Sequence, residues 1–220
     1  MIETIICDMD GTLTEYPVPP FFSSWDALSL ALPEKKAKEW IENRDYYYPK
    51  EELQDEWGEK QLNLLRNLNL EEANKFLLPI PYCPGVKEFF SNQRNGYKKG
   101  IITSGINLVA DKILEELEFD FALSYFIEVK NGRLTGRGRS AGELWKKDLM
   151  LLNFALKNDI CLSKTIYIGD NENDIPAFKS VGIPVAFKPK TKETKENAKH
   201  IIKDFRELNE IIENEYTRVF

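Results

Sequence analysis

The sequence predicts an α/β fold, a doubly wound parallel sheet with a small helical domain inserted after its first strand. Three observations carry that reading. Four short apolar runs, Ile2–Cys7, Gly100–Thr103, Thr165–Ile168 and Ile183–Phe187, are rich in β-branched residues and too short for helices. Helical patterns separate them, as with Val109, Ile113 and Leu117 or Leu149, Leu152 and Leu156, and strands alternating with helices build a parallel sheet buried on both faces. Between residues 15 and 81 the pattern changes to helices alone.

In chain order, the first run ends in Asp8-Met9-Asp10-Gly11-Thr12, two carboxylates two residues apart. Tyr16-Pro17-Val18-Pro19-Pro20 then keeps the strand from leading straight into a crossover helix, because proline fixes φ and lacks the N–H. Trp25, Leu28 and Leu32 recur at helical spacing, as do Ala37, Trp40 and Ile41, and then Ala73, Phe76 and Leu77. "PIPYCPG", residues 79–85, closes the segment, which is expected to lie over the strand ends as a lid. Its "YYY" at 46–48 is expected to serve aromatic packing before any substrate contact.

The second run passes into Thr103-Ser104-Gly105. "YFIEVKNGRLTGRGR" alternates around Asn131-Gly132, a dipeptide that favours the tight two-residue turn, so a β-hairpin is expected there. Arg137 and Arg139 beyond that turn are expected to be solvated. Lys146 and Lys147 open a helix, and the third run ends in "IGDNEND", with Asp170, Asn173 and Asp174. Three of the four strands thus end in polar groups, at the edge where open parallel sheets bind their ligands.

Composition removes several classes of function. The 220 residues, 42% hydrophobic and 30% charged, fit one large domain or one domain with an insertion. A net charge of −6 argues against a nucleic-acid partner, which needs a basic surface. The lysines between Lys188 and Lys203 are interleaved with Glu193 and Glu196 and read as a solvated face. Cys7, Cys83 and Cys161 are widely spaced and odd in number, as expected of reduced thiols. No leader-like segment and no apolar run of membrane-spanning length is visible, so a cytoplasmic protein without a membrane partner is expected. The single histidine, His200, is expected late in a Lys-rich helical stretch, which leaves Ser-His and Cys-His chemistry unsupported. Nothing in the sequence sets an oligomeric state.

Hydrolysis of a phosphate ester without histidine needs a carboxylate nucleophile and a hard divalent cation, because a phosphate dianion repels a carboxylate. It also needs a fixed positive side chain, hydrogen-bond donors for the phosphoryl oxygens, and an acid for the leaving alcohol. Asp8 and Asp10, Ser104 and Gly105, the Lys146-Lys147 pair, and Asp170, Asn173 and Asp174 supply each of these, in that order along the chain.

"DMDGTLT" resembles the first motif of the haloacid dehalogenase superfamily, D-x-D-G-T-[LV]-[TV]. A strand ending in Ser or Thr, then a lysine, then "GDxxxD" match that superfamily's later motifs in order. "TSGINLVADKI", "LTG" and "TIYIGDNENDIPAF" are similar to its phosphoserine phosphatase-like branch. The resemblance covers residues 1–14 and about 82–190. It implies a Rossmann-like catalytic core over 1–14 and 82–220, and a substrate-selecting helical cap over 15–81. The implied activity is a Mg²⁺-dependent phosphatase that cleaves a small-molecule phosphomonoester through an aspartyl-phosphate.

The same resemblance assigns roles. Asp8 is implied as nucleophile and metal ligand, and Asp10 as general acid/base with its main-chain carbonyl on the metal. Ser104 with the Gly105 N–H is implied to bind the phosphoryl oxygens, with Thr103 as its rival. Lys147, with Lys146 as the rival, is implied to neutralise the phosphoryl group. Asp170 is implied as a direct metal ligand and Asp174 as part of the metal site, with Asn173 and Thr12 in support. Two neighbouring carboxylates do not ionise independently, so Asp10 is expected to have a raised pKa and Asp8 to stay ionised.

For the substrate, phosphoserine stands beside another small organic phosphate such as a sugar phosphate. Phosphoserine phosphatases hold their amino acid with an acidic group soon after the first motif and an arginine. Here that region is "EYPVPPFFSSW", and the nearest arginines, Arg44 and Arg66, are expected on the surface. A phospho-acceptor signalling domain and a phosphatase-like binding module without turnover are the rival readings.

Overall fold

The computed structural model describes residues 1–91, 96–142 and 145–217. Parts of the expected core, residues 92–95, 143–144 and 218–220, lie outside the described residues. Among the described residues, seven strands form one sheet: β1 (Thr4–Cys7), β2 (Lys98–Ile106), β3 (Phe121–Lys130), β4 (Arg133–Arg139), β5 (Thr165–Gly169), β6 (Ile183–Phe187) and β7 (His200–Ile202). Their order is β4-β3-β2-β1-β5-β6-β7, parallel throughout except for the antiparallel hairpin β3–β4. The helices, in chain order, are α1 (Ser24–Ser29), α2 (Glu34–Tyr47), α3 (Gln54–Leu65), α4 (Leu70–Leu77), α5 (Val86–Ser91), α6 (Asn107–Leu117), α7 (Lys147–Lys157), α8 (Ile175–Phe178), α9 (Lys192–Glu196) and α10 (Leu208–Thr217). None of the described helices is long and apolar enough to cross a membrane.

Strand periodicity divides the core between the two faces of the sheet. Ile5 and Cys7 of β1 and Ile166 and Ile168 of β5 pack on one face with Val109, Ile113 and Phe205. Ile6 and Tyr167, one residue out of phase, pack on the other with Met150, Leu151 and Phe178. Because β1 lies at the centre, Cys7 faces Ile101 on one side and Ile168 on the other, and the residues beyond these three converge at one edge.

The Asn131-Gly132 turn adopts positive φ at both positions, 52° and 69°, as a tight hairpin twisted with its strands requires. The hairpin does more than close the sheet edge. The Asn67 N–H donates to the Leu134 carbonyl and the Leu70 N–H to Gly132, both at 2.9 Å, so the helical segment is fastened to it. The entry and exit of that segment run side by side: the Glu15 N–H donates to Pro81 O at 3.0 Å and the Cys83 N–H to Leu13 O at 2.9 Å.

Three elements differ from the sequence reading. His200–Ile202, expected in a helical stretch, forms β7 and pairs parallel with β6. β2 continues past Thr103 to Ile106, with a break in register between Ile102 and Ile106. The break falls where Gly105 passes Met9 and Asp10 too closely to admit a side chain. Helix α7 forms as expected, but Leu149, Leu152 and Leu156 are exposed, and its buried face is Lys147, Met150, Leu151 and Ala155. The phase is set in the first turn: Lys147 must point inward to meet carboxylates, which carries residues three, four and eight further on into the core. Leu151→Ala is therefore expected to cost about 2–5 kcal/mol of stability and Leu152→Ala less than about 0.5 kcal/mol. Denaturant unfolding of the two variants measures the difference.

Candidate active site

The strand ends bring together groups distant in sequence. The Asp8 N–H donates to Ile168 O at 2.8 Å, which holds the start of the first loop against β5. The carboxylates of Asp8, Asp170 and Asp174 are buried, and an oxygen of each lies within 4.8 Å of the others. Gly11 follows at φ 90°, where a β-carbon would collide with the Asp170 carboxylate, so only glycine allows this approach. The fully buried Thr12 hydroxyl donates to Asp170 Oδ1 at 3.3 Å.

Between these carboxylates lies one ammonium. Lys147 Nζ is 2.7 Å from Asp8 Oδ1 and 2.7 Å from Asp174 Oδ1, with 1% of its side chain exposed. Burial alone would lower its pKa, but Asp174 and Asp8 reverse that and raise it, so it remains a cation. Asp174 is held on every side. Oδ1 also accepts the Tyr167 hydroxyl at 3.0 Å, and Oδ2 accepts the backbone N–H groups of Asp170 and Asn171 at 3.0 and 3.2 Å. With both oxygens doubly engaged, Asp174 is geared to position Lys147 and the "GDNEND" loop. Lys190 approaches from beyond β6, 2.7 Å from Asp170 Oδ2.

Asp10 has a different environment. Ser24, at the start of α1, gives its N–H to Asp10 Oδ1 at 2.8 Å and its hydroxyl to Oδ2 at 2.7 Å, and Thr14 adds a hydroxyl at 3.3 Å. Burial pushes the Asp10 carboxyl up to about 7 against these hydrogen bonds, with Asp8 adding to the rise. Burial also raises Asp8; Lys147 opposes the shift and Asp174 reinforces it. Asp170 is pushed up to about 7, first by burial, against the pull of Lys190. The expectation of a fully ionised Asp8 thus meets a site with more buried negative charge than Lys147 and Lys190 offset.

That excess is what a divalent cation would correct. The group of Asp8, Asp170 and Asp174 offers only carboxylate oxygens, which suits a hard cation. On the phosphate side, Ser104 is half-buried at the cavity wall, while Thr103 is buried and its Oγ1 accepts the Gly105 N–H at 3.0 Å. Of the lysine pair, Lys147 enters the carboxylate cluster and Lys146 lines the cavity farther out, as does the half-buried Asn173.

A cavity of about 1070 Å³ extends from Asp8 and Asp10 up to helices α2 and α3. Arg44 was expected on the surface, yet its side chain is 12% exposed and pairs with buried Asp26 at 3.3 Å on the cavity wall. Arg139 reaches the same cavity, and Tyr48 alone of the tyrosine triplet lines it. Arg66 is exposed and does not line it. Ser24, Tyr167 and Lys190 escaped the sequence reading. Only Ser24 carried a local signal, since "SSW" opens a helix whose N-cap, Ser23, accepts the Asp26 N–H.

The profile of haloacid dehalogenase-like hydrolases matches residues 5–179. Phosphoserine phosphatase of Methanocaldococcus jannaschii is 33% identical over 159 residues, 70% of this chain and 72% of the relative. That of Streptomyces coelicolor is 28% identical over 190 residues, 84% of this chain but 44% of the relative. A solved phosphoserine phosphatase in apo form has a TM-score of 0.74 at 26% identity, covering 96% of this chain and 98% of its own. A phospho-aspartyl intermediate analogue of phosphoserine phosphatase gives the same TM-score at 27% identity, with the same coverage.

The raised carboxylates make a prediction about stability. Unfolded aspartates titrate near 4, so the stabilisation Asp10 and Asp170 supply when protonated is complete below about pH 4 and is lost as pH rises through about 7. Without divalent cation, the melting temperature should fall across that window. Added Mg²⁺ should raise it more at pH 8 than at pH 5, and equal shifts at the two pH values would count against a metal site built on these groups.

Proposed function

The chain belongs to the haloacid dehalogenase-like hydrolases, and on that premise we propose that it hydrolyses a small-molecule phosphomonoester, with Asp8 carrying the phosphoryl group between two half-reactions. The supporting observation is the separation of roles between two neighbouring aspartates. Asp8 is fixed by a buried ammonium 2.7 Å away, and Asp10 is held apart by Ser24 with a pKa of about 7.

In the first half, a carboxylate oxygen of Asp8 attacks phosphorus while the bond to the alcohol oxygen breaks, and Asp10 gives that oxygen its proton. In the second half, Asp10 takes a proton from water as the water oxygen attacks the same phosphorus. The bond to Asp8 breaks, and inorganic phosphate leaves. Lys147 sets the direction of Asp8 and would offset charge on the phosphoryl oxygens, and Ser104, which lines the same cavity, would donate its hydroxyl to them. Mg²⁺, held by Asp8, Asp170 and the Asp10 main-chain carbonyl, would screen the repulsion between the phosphate dianion and Asp8.

Residues 15–81 act in this reading as the cap that encloses the substrate, joined to the core residues 1–14 and 82–220. Because Ser24 orients Asp10, docking of α1 also aims the acid. Phosphoserine, the substrate in the relatives' names, and sugar phosphates are the first compounds to assay. Asp8→Asn is expected to lower turnover by about 10⁴-fold or more while leaving the circular dichroism spectrum unchanged. Phosphate release should stop in EDTA and return with Mg²⁺. Release that persists in a clean Asp8→Asn preparation would falsify the nucleophile assignment, and none from any ester would favour a binding module. A single burst without turnover is the result expected of a phospho-acceptor domain.

A further inference from the structure

We propose that the phosphomonoester taken by this site carries a neutral, planar nitrogen heterocycle on its alcohol side, held by Gln61 and Trp57. The phosphate end of this proposal rests on the phosphatase reading above; the heterocycle end rests on separate observations. Trp57 and Gln61 stand four residues apart on α3, one helical turn, and both line the cavity over the strand ends. Gln61 is 3% exposed. Among the described residues, neither polar atom of its amide has a hydrogen-bond partner, and neither has the indole N–H of Trp57. A buried polar group without a partner forfeits its hydration for nothing, so three such atoms in two residues that line one cavity point to a ligand whose entry brings them a partner.

Their chemistry describes that ligand. A glutamine amide offers a donor and an acceptor side by side, and the indole adds a donor. The complement is a neutral edge bearing adjacent acceptor and N–H groups, as in pyrimidines and purines. Arg44 and Asp26 on the same cavity are already matched to each other at 3.3 Å, and the other Asp26 oxygen accepts the Ser23 hydroxyl at 2.7 Å.

The remaining surroundings are aromatic. Tyr48 lies between Phe21 and Trp57, with ring centroids at 4.3 and 6.0 Å, and Trp25 lies between Trp40 and Tyr125, at 6.0 and 5.0 Å. Such walls suit a flat ring, and about 1070 Å³ exceeds what a phosphorylated three-carbon acid would fill.

Binding of the unphosphorylated alcohols tests the subsite apart from catalysis. The full chain would be titrated with uridine, adenosine and pyridoxine, and in parallel with serine, glycerol and ribose, read by tryptophan fluorescence and calorimetry. At least one heterocyclic alcohol is expected to bind about tenfold more tightly than the other three. Gln61→Met, and separately Trp57→Phe, which keeps an aromatic ring but removes the N–H donor along with the five-membered ring, should each weaken that binding about tenfold. Heterocycles that bind no better than serine, glycerol or ribose, or not at all, overturn the proposal. So does unchanged affinity in both folded variants. Failure of the phosphatase reading shows elsewhere, as absence of phosphate release from every ester, and leaves the binding result standing.

Discussion

A single buried ammonium organises this molecule. Moving the Lys147 charge out of water is costly, and only close, hydrogen-bonded partners offset it. Asp8 and Asp174 are those partners, each at 2.7 Å. To bring them there, β1 must end one residue before Asp8, the turn after β5 must return Asp174 beneath Asp170, and α7 must begin with Lys147 facing inward. The same demand settles which side of α7 enters the core and why its leucine stripe is left outside. Removing Lys147 would strand Asp8 and Asp174 as uncompensated charge, so the three groups are coupled in stability as well as in chemistry.

Around this unit the charges do not balance. Asp8, Asp170 and Asp174 crowd one space, with Lys147 within and Lys190 at its margin. Burial, reinforced by the neighbouring carboxylates, raises the carboxyl pKa values of Asp8 and Asp170, and the same crowding of negative charge makes the pocket attractive to a divalent cation. Asp10 escapes this coupling in part, because its main contacts are the hydroxyl and N–H of Ser24. One aspartate is thus governed by ions and its neighbour by hydrogen bonds, although only one residue separates them.

What the sequence revealed depended on how local the cause was. The hairpin at Asn131-Gly132 and the strands of β5 and β6 were legible because their backbone requirements are written in adjacent residues. The carboxylate pair and the "GDNEND" loop were legible as a pattern of residue types. The choice between Lys146 and Lys147 was not, since it turns on helix phase, which long-range partners dictate. Leu149, Leu152 and Leu156 misled for the same reason: helical spacing shows that a stripe exists, not which way it faces. Ser24, Tyr167 and Lys190 act across large sequence separations and carry no local mark of it. Arg44, in a strongly charged stretch, gave no sign of the buried Asp26 that draws it inward.

The paired connectors of the helical segment have a further consequence. Glu15 with Pro81, and Cys83 with Leu13, place the points of departure and return next to each other on the core. Topologically the whole segment is then one long excursion from a closed stem, tied to the sheet a second time where Asn67 and Leu70 meet the hairpin. A replacement of different size grafted onto that stem would inherit Asp8, Lys147 and Asp170 intact and would need its own counterpart of Ser24 and its own contact with the hairpin. The carboxylate cluster and the helical segment are therefore separable by inheritance, with one serine as a point where they meet.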